Sequence, residues 1–229
     1  MVENLVTARD VVVAARKSGR ELSGDISLDS GFQAEVDQAR VLAIYIALLV
    51  KWNKSMNLVG PKKWQEIFST LIVDSLYLAD FLNDLDIPDE PLVLDLGAGA
   101  GLPGIPLRCV WQNGEYVLVE SRQKRSIFMR TALNAMGLPR TSVFNGRAEN
   151  LDENMLPADV IVSRAFMPWP ELLDFVKPML SSEGRIVVLS NDPAPSAKKL
   201  IEHGFELETS MHYDSGMKTH FFWSAMPAI

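Results

Sequence analysis

One acidic residue followed by glycine at every second position dominates the chemistry this sequence can offer: Asp95-x-Gly97-x-Gly99-x-Gly101, with Leu102, Pro103 and Gly104 directly after. Glycine admits backbone angles that other residues avoid, and it removes the side chains that would hold a ligand away. A turn of this kind at the carboxyl end of a strand is where open α/β sheets bind small molecules. The stretch can be read in two registers. Gly99, Gly101 and Gly104 satisfy G-x-G-x-x-G, a dinucleotide fingerprint. Gly97, however, already closes the apolar run 92–96, so that triplet begins two residues late. The register that starts at Asp95 places a carboxylate at the strand end. Glu120 closes a second apolar run and is placed to accept both hydroxyls of a ribose, a role both registers share. Ala148 and Glu149 follow a third run. Arg164 closes a fourth; its guanidinium could hold a carboxylate bidentately, clamp a phosphate, or pair with Asp95 or Glu149. His203, His212 and His220 lie in the C-terminal segment and read as structural or exposed, and Cys109 reads as a buried small hydrophobe.

Periodicity supplies the elements that must carry these residues. Up to about residue 85 the apolar positions recur at helical spacing: Val36, Leu42, Ile46 and Leu49, among Ala39, Ala43 and Ala47, make one long helix. Asp29-Ser30-Gly31 offers start signals before it, and Gly60-Pro61 breaks the chain after it. Leu71, Ile72, Ser75, Leu76, Ala79 and Leu82 predict a further helix. From there strand and helix alternate. Strands are expected at 92–96, 116–120, 142–144, 159–163, 185–189 and 220–225, with helices at 123–136 and 170–180. Residues 205–211 allow a closing antiparallel hairpin. Short apolar strands separated by helices imply a mostly parallel sheet in a three-layer α/β domain. The division expected is 1–88 as an N-terminal helical cap packed on the main domain and 89–229 as that domain.

Composition narrows the partners. The chain has 229 residues, 48% of them hydrophobic and 22% charged, which excludes collagen-like, disulfide-scaffold and wholly disordered readings. Its longest apolar stretch, residues 41–50, is too short to cross a bilayer, so no membrane is expected. The N-terminus lacks a basic lead into an apolar run, and a single cysteine makes neither an internal disulfide nor a thiolate metal cluster. A cytoplasmic protein without a metal site is expected. Net charge is −7, but the distribution is uneven. Residues 121–148 hold Arg122, Lys124, Arg125, Arg130, Arg140 and Arg147 and no acid, whereas 66–90 carry seven acids and no base. Either basic stretch alone is compatible with an ordinary solvated face, and two of them (51–65 is the other) suit a polyanion.

Asp95-x-Gly97-x-Gly99-x-Gly101 resembles the acidic-glycine motif of S-adenosylmethionine-dependent methyltransferases. The likeness then narrows. Leu102-Pro103-Gly104-Ile105-Pro106-Leu107, Lys51-Trp52-Asn53-Lys54-Ser55-Met56-Asn57-Leu58, Asp74-Ser75 and Glu120-Ser121-Arg122-Gln123-Lys124-Arg125 each resemble a motif of one family, as do Gly146-Arg147-Ala148-Glu149 and Ser163-Arg164-Ala165-Phe166. That family is the small-subunit ribosomal RNA guanine-N7 methyltransferases, also called glucose-inhibited division protein B. The resemblance spans about residues 30–190. It implies a Rossmann-like class I fold with a mostly parallel seven-stranded sheet, helices on both faces and an N-terminal helical extension. It further implies S-adenosyl-L-methionine as cofactor and 16S rRNA or the small ribosomal subunit as partner, with no DNA and action as a monomer. By matching position, Gly97, Leu102, Ala148, Glu149 and Arg164 would contact the cofactor, and the acidic-glycine reading adds Asp95, Gly99, Gly101 and Glu120. Arg164 would also serve catalysis, and Lys124, Arg125 and Arg147 would bind RNA.

Guanine N7 carries an in-plane lone pair and no proton, so such a reaction needs positioning rather than a general base. In duplex RNA that atom lies in a groove side chains cannot read, so a looped or unstacked target is implied. Trp52, Phe166 and Trp169 are candidate stacking platforms, each with core packing as the competing explanation. The residues alone leave open a methyltransferase of another acceptor, a non-catalytic cofactor-binding or ribosome-associated protein, and a nicotinamide-dependent enzyme.

Overall fold

A computed structural model of the chain describes residues 6–20, 22, 28–215 and 218–228, with backbone only for 28–35. The chain divides into two compact units. The first comprises Met1–Asp80, Gly99–Gln112 and Lys124–Pro139; the second comprises Phe81–Ala98, Asn113–Gln123 and Arg140–Ile229.

The first unit is helical. Helix α1 (Ala8–Lys17) opens with a capping box in which Thr7 and Asp10 satisfy each other's backbone N–H groups. Helix α2 (Leu28–Met56) is the long helix expected from the alanine-rich apolar stripe, extended by a turn or two at each end. Its buried positions Ala39, Leu42, Ala43, Ile46, Leu49 and Asn53 recur three or four residues apart and so share one face. Asn53 ends that stripe with a polar side chain that holds the chain beyond it. The Asn53 Nδ2 donates to the Pro61 carbonyl at 2.8 Å, and its Oδ1 accepts from the Val59 amide at 3.0 Å. One buried side chain thereby pins the Gly60-Pro61 break to the helix it terminates. A short helix α3 (Trp64–Ile67) then runs through a π-helical stretch (Phe68–Ile72) into α4 (Val73–Asn83). The helix expected near 71–82 is therefore longer and contains a wide turn. Helices α5 (Gly104–Val110) and α6 (Gln123–Met136) complete the unit. Phe128 of α6 packs against Tyr45 and Trp52 of α2, with ring centroids 6.2 and 5.7 Å apart.

The second unit is built on a seven-stranded sheet: β1 (Leu92–Leu96), β2 (Glu115–Glu120), β3 (Thr141–Asn145), β4 (Ala158–Arg164), β5 (Leu180–Ser190), β6 (Phe205–Ser215) and β7 (Lys218–Pro227). Their spatial order is β3-β2-β1-β4-β5-β7-β6. The first five are parallel, and β7 enters antiparallel between β5 and β6. Strand order reverses between β1 and β4, which makes that pair of carboxyl ends the place where a ligand fits. One face of the sheet packs on α7 (Trp169–Val176) and α8 (Ala197–Glu202) through Leu94, Leu96, Ile161, Ile186, Trp223, Leu172, Leu173 and Leu200.

Two boundaries differ from expectation. Residues 170–180 do not form one helix: α7 stops at Val176, Pro178 sits in a 3₁₀ turn, and β5 begins at Leu180. Leu180, expected to end that helix, instead opens β5 and pairs with Ala158 across a bulge. Strand β6 is also longer than 205–211, because β7 supplies partners out to Ser215.

Candidate functional site

Alternation along the strands decides which side chains meet. Asp95 lies opposite Leu118 of β2 and Val162 of β4. Two residues on from each partner are Glu120 and Arg164, so Asp95, Glu120 and Arg164 share one sheet face at the carboxyl edge. Asp95 is 1% exposed and accepts a hydrogen bond from the Tyr116 hydroxyl at 3.2 Å. Glu120 is buried at the end of β2, where one carboxylate oxygen accepts from the Arg122 amide at 2.8 Å. Its carbonyl accepts from Asn145 Nδ2 at 3.0 Å and from the Gly146 amide at 3.2 Å. These bonds lock the ends of β2 and β3 together. Arg164 is half-buried as the last residue of β4, opposite Leu189 of β5. Ala165 follows with φ +53°, a left-handed turn at a non-glycine residue that redirects the chain just past Arg164.

The turn after β1 is tied to β2: the amides of Gly97 and Ala98 both donate to the Val119 carbonyl, at 3.0 and 3.1 Å. Gly97 has φ +73°, and a Cβ there would lie 2.7 Å from the Phe166 ring. Only glycine satisfies both conditions. Gly99 and Gly101 also have positive φ, +61° and +80°. In the first unit the Gly101 carbonyl accepts from the Ile105 amide at 2.7 Å and so starts α5. Two side chains of that unit hold the same stretch: the Tyr45 hydroxyl donates to the Ala100 carbonyl at 2.8 Å, and the Ser75 hydroxyl to the Pro103 carbonyl at 2.9 Å. Leu102 is buried within it. Sequence reasoning did not single out Tyr45. Its position on the apolar stripe of α2, the one hydroxyl among aliphatic neighbours, was the available signal.

The remaining candidates divide by exposure. After β3, Ala148 is buried and joins the core, while Arg147 and Glu149 are exposed. Lys124 is exposed and Arg125 half-buried in the first turn of α6. Trp52 is half-buried, with its ring tilted against Phe128. Phe166 is half-buried against Gly97 and Phe175. Trp169, at the start of α7, has His203 edge-on at 5.5 Å, and His203 Nδ1 lies 2.9 Å from the Asp174 carboxylate. His212 and His220 pack against Phe221 and Tyr213. Cys109 is 3% exposed, and burial pushes its thiol above the ordinary cysteine range.

S-adenosylmethionine fits the donor set of the sheet unit. The turn at Gly97 leaves β1 in a left-handed conformation, and the buried carboxylate at the end of β2 suits a ribose diol.

The model of the GidB family, described as rRNA small subunit methyltransferase G, matches residues 38–213. Proteins called ribosomal RNA small subunit methyltransferase G are similar over most of their length. That of Nitratidesulfovibrio vulgaris (strain DP4) is 50% identical over 201 residues, 88% of this chain and 91% of the relative. That of Lawsonia intracellularis is 45% identical over 197 residues, 85% and 89%. Among solved structures, the Bacillus subtilis M1A22 tRNA methyltransferase TrmK superposes with a TM-score of 0.53 at 16% identity, covering 69% of this chain and 67% of that one. A ribosomal protein L11 methylase from Lactobacillus delbrueckii subsp. bulgaricus gives 0.52 at 12% identity, covering 68% and 80%. These two speak for the fold alone, and with the sheet order they make it the Rossmann-like α/β fold of class I methyltransferases.

Proposed function

The chain belongs to the GidB family of small-subunit ribosomal RNA methyltransferases, and from that premise we propose that it transfers the methyl group of S-adenosylmethionine to N7 of a guanine in 16S rRNA. The observation that carries the chemistry is the shared edge of Asp95, Glu120 and Arg164 beside the glycine turn. The cofactor's sulfonium supplies an electrophilic methyl group when bound. Gly97 brings backbone close to the ligand, Glu120 takes the ribose hydroxyls, and the backbone of Ala148 and Glu149 reads the adenine edge. Asp95 orients the methionine end through backbone or water, with Tyr116 fixing its carboxylate. Arg164 is the charged group at the carboxyl end of β4, and it holds either the cofactor carboxylate or an RNA phosphate.

No side chain needs to remove a proton, because N7 carries none. Catalysis is then positioning of two reactants along one line. Lys124, Arg125 and Arg147 supply phosphate contacts, each exposed or half-exposed on its own unit. The protein acts as a cytoplasmic monomer on RNA, without DNA or membrane partners; among the described residues no helix is long and apolar enough to cross a membrane.

The test is transfer from labelled S-adenosylmethionine to small-subunit rRNA, naked and in assembled subunits, from cells lacking the modification. Digestion and mass spectrometry identify the product. A single 7-methylguanosine is expected. Cofactor binding with no methylated guanine in either form would overturn the acceptor and keep the cofactor.

A further inference from the structure

A cavity of about 380 Å³ opens beside the carboxyl end of β5, wholly within the sheet unit. Trp169, Trp223, Pro193 and Pro195 line it with flat apolar surface, and Asp192 and Lys199 add one charge of each sign. Its volume falls in the range of small-ligand sites. Trp223 is fully buried in β7, while Trp169 is half-buried with the His203 ring edge-on to it, His203 itself held by Asp174. A tryptophan fixed in this way presents a rigid face at little entropic cost, which suits stacking of a planar ring.

The cavity is close in the chain to the turn after β1. The segment that leaves β4 touches Gly97 through Phe166 and delivers Trp169 to the cavity wall three residues later. Arg164, at the start of that segment, pairs with Leu189, and the residues on either side of Leu189, Val188 and Ser190, line the cavity on the other face of the sheet. One short stretch of chain therefore borders both the glycine turn and the cavity.

The charges select the ring. Guanine presents two adjacent donors, N1–H and the 2-amino group, beside an acceptor, O6. Adenine presents the opposite order, and the pyrimidines lack the second ring to fill the space. A carboxylate from Asp192 accepts both guanine donors, and the Lys199 ammonium donates to O6. Recognition along that edge leaves N7 uncovered on the other side of the base. We propose that this cavity is the guanine subsite for the acceptor base, with Trp169 as stacking face and Asp192 and Lys199 as the residues that distinguish guanine. This rests on the reading of the chain as an RNA guanine methyltransferase.

The test uses the intact protein with saturating S-adenosylhomocysteine, so that the cofactor site is filled. Guanosine and adenosine 5′-monophosphates are titrated separately, with tryptophan fluorescence as readout. Guanosine monophosphate is expected to quench saturably and adenosine monophosphate to bind at least tenfold more weakly. Asp192→Asn is expected to weaken guanosine monophosphate about tenfold, the size of a lost charge-assisted hydrogen bond. Trp169→Phe is expected to remove most of the quench. Lys199→Ala provides a second exposed-surface variant in case Asp192→Asn disturbs its loop. Equal binding of the two nucleotides, or guanosine monophosphate binding unchanged in both charge variants, would overturn the subsite. Failure of methyl transfer to RNA is read in a separate assay, so a wrong acceptor and a wrong pocket give different results.

Discussion

Arg164 and Gly97 show how much depends on single residues at the carboxyl edge of the sheet. Arg164→Ala removes a guanidinium from a half-buried position at which it terminates a strand without packing into the core. Methyl transfer is expected to fall at least a hundredfold, the loss of one or two charge-assisted hydrogen bonds, with the melting temperature shifted by only a few degrees. Retention of full turnover would remove Arg164 from the chemistry. Gly97→Ala should do the reverse and damage structure first. Its Cβ would meet the Phe166 ring at 2.7 Å on a backbone with φ +73°, costing about 1–3 kcal/mol of stability and weakening cofactor binding with it. Adding Phe166→Leu should recover the steric part and leave the backbone part; a double-mutant cycle in thermal melts and cofactor titration separates the two. The glycine, the acid at β2 and the arginine at β4 were legible because residue type and spacing encode them. Tyr45 was not: a lone hydroxyl on the apolar stripe of α2 marks it as unusual, but its partner Ala100 lies 55 positions away in sequence and nothing local names it.

At the level of elements, helix α6 and the three antiparallel partners at the sheet edge make separate demands. Lys124 and Arg125 open α6 with no acid in its first turn. The double substitution Lys124→Ala with Arg125→Ala should weaken RNA binding and leave cofactor affinity unchanged. The slope of log affinity against log salt should also fall, by about 0.7–0.9 for each phosphate no longer neutralised. Equal loss of both affinities would contradict the assignment. The edge strands are fastened differently. Arg185 of β5 is 4% exposed and pairs with Glu208 of β6 at 2.6 Å, while the Ser224 hydroxyl of β7 donates to the other Glu208 oxygen at 2.7 Å. Breaking this triad by Arg185→Ala is expected to cost about 3–5 kcal/mol, read by urea denaturation, because Glu208 keeps its charge and loses its cation. Strand and helix order was legible from alternating periodicity, and α6 matched to the residue. The misjudged pieces share a cause. Residues 181–184 and 212–215 are mostly polar, and they become strand only because β4 and β7 offer partners. The wide turn at Phe68–Ile72 likewise has no local breaker to announce it.

Across the whole molecule, a net charge of −7 coexists with a 28-residue stretch, 121–148, that contains no acid. Polyanion binding under those conditions depends on where charge sits and not on its sum. A different molecular property follows from the one cysteine. Cys109 lies in α5, immediately after the glycine turn, protonated and 3% exposed, with its Sγ 3.5 Å from the Ile105 carbonyl. A thiol reagent can reach it only when that helix opens, so the protein carries an intrinsic clock for local unfolding next to the glycine turn. If turn and helix open as one unit, S-adenosylhomocysteine at a hundred times its Kd should slow labelling about a hundredfold. Labelling at an unchanged rate would mean that α5 breathes while the ligand stays bound. The single thiol thus turns an equilibrium of binding into a rate of chemical modification, without any engineered probe.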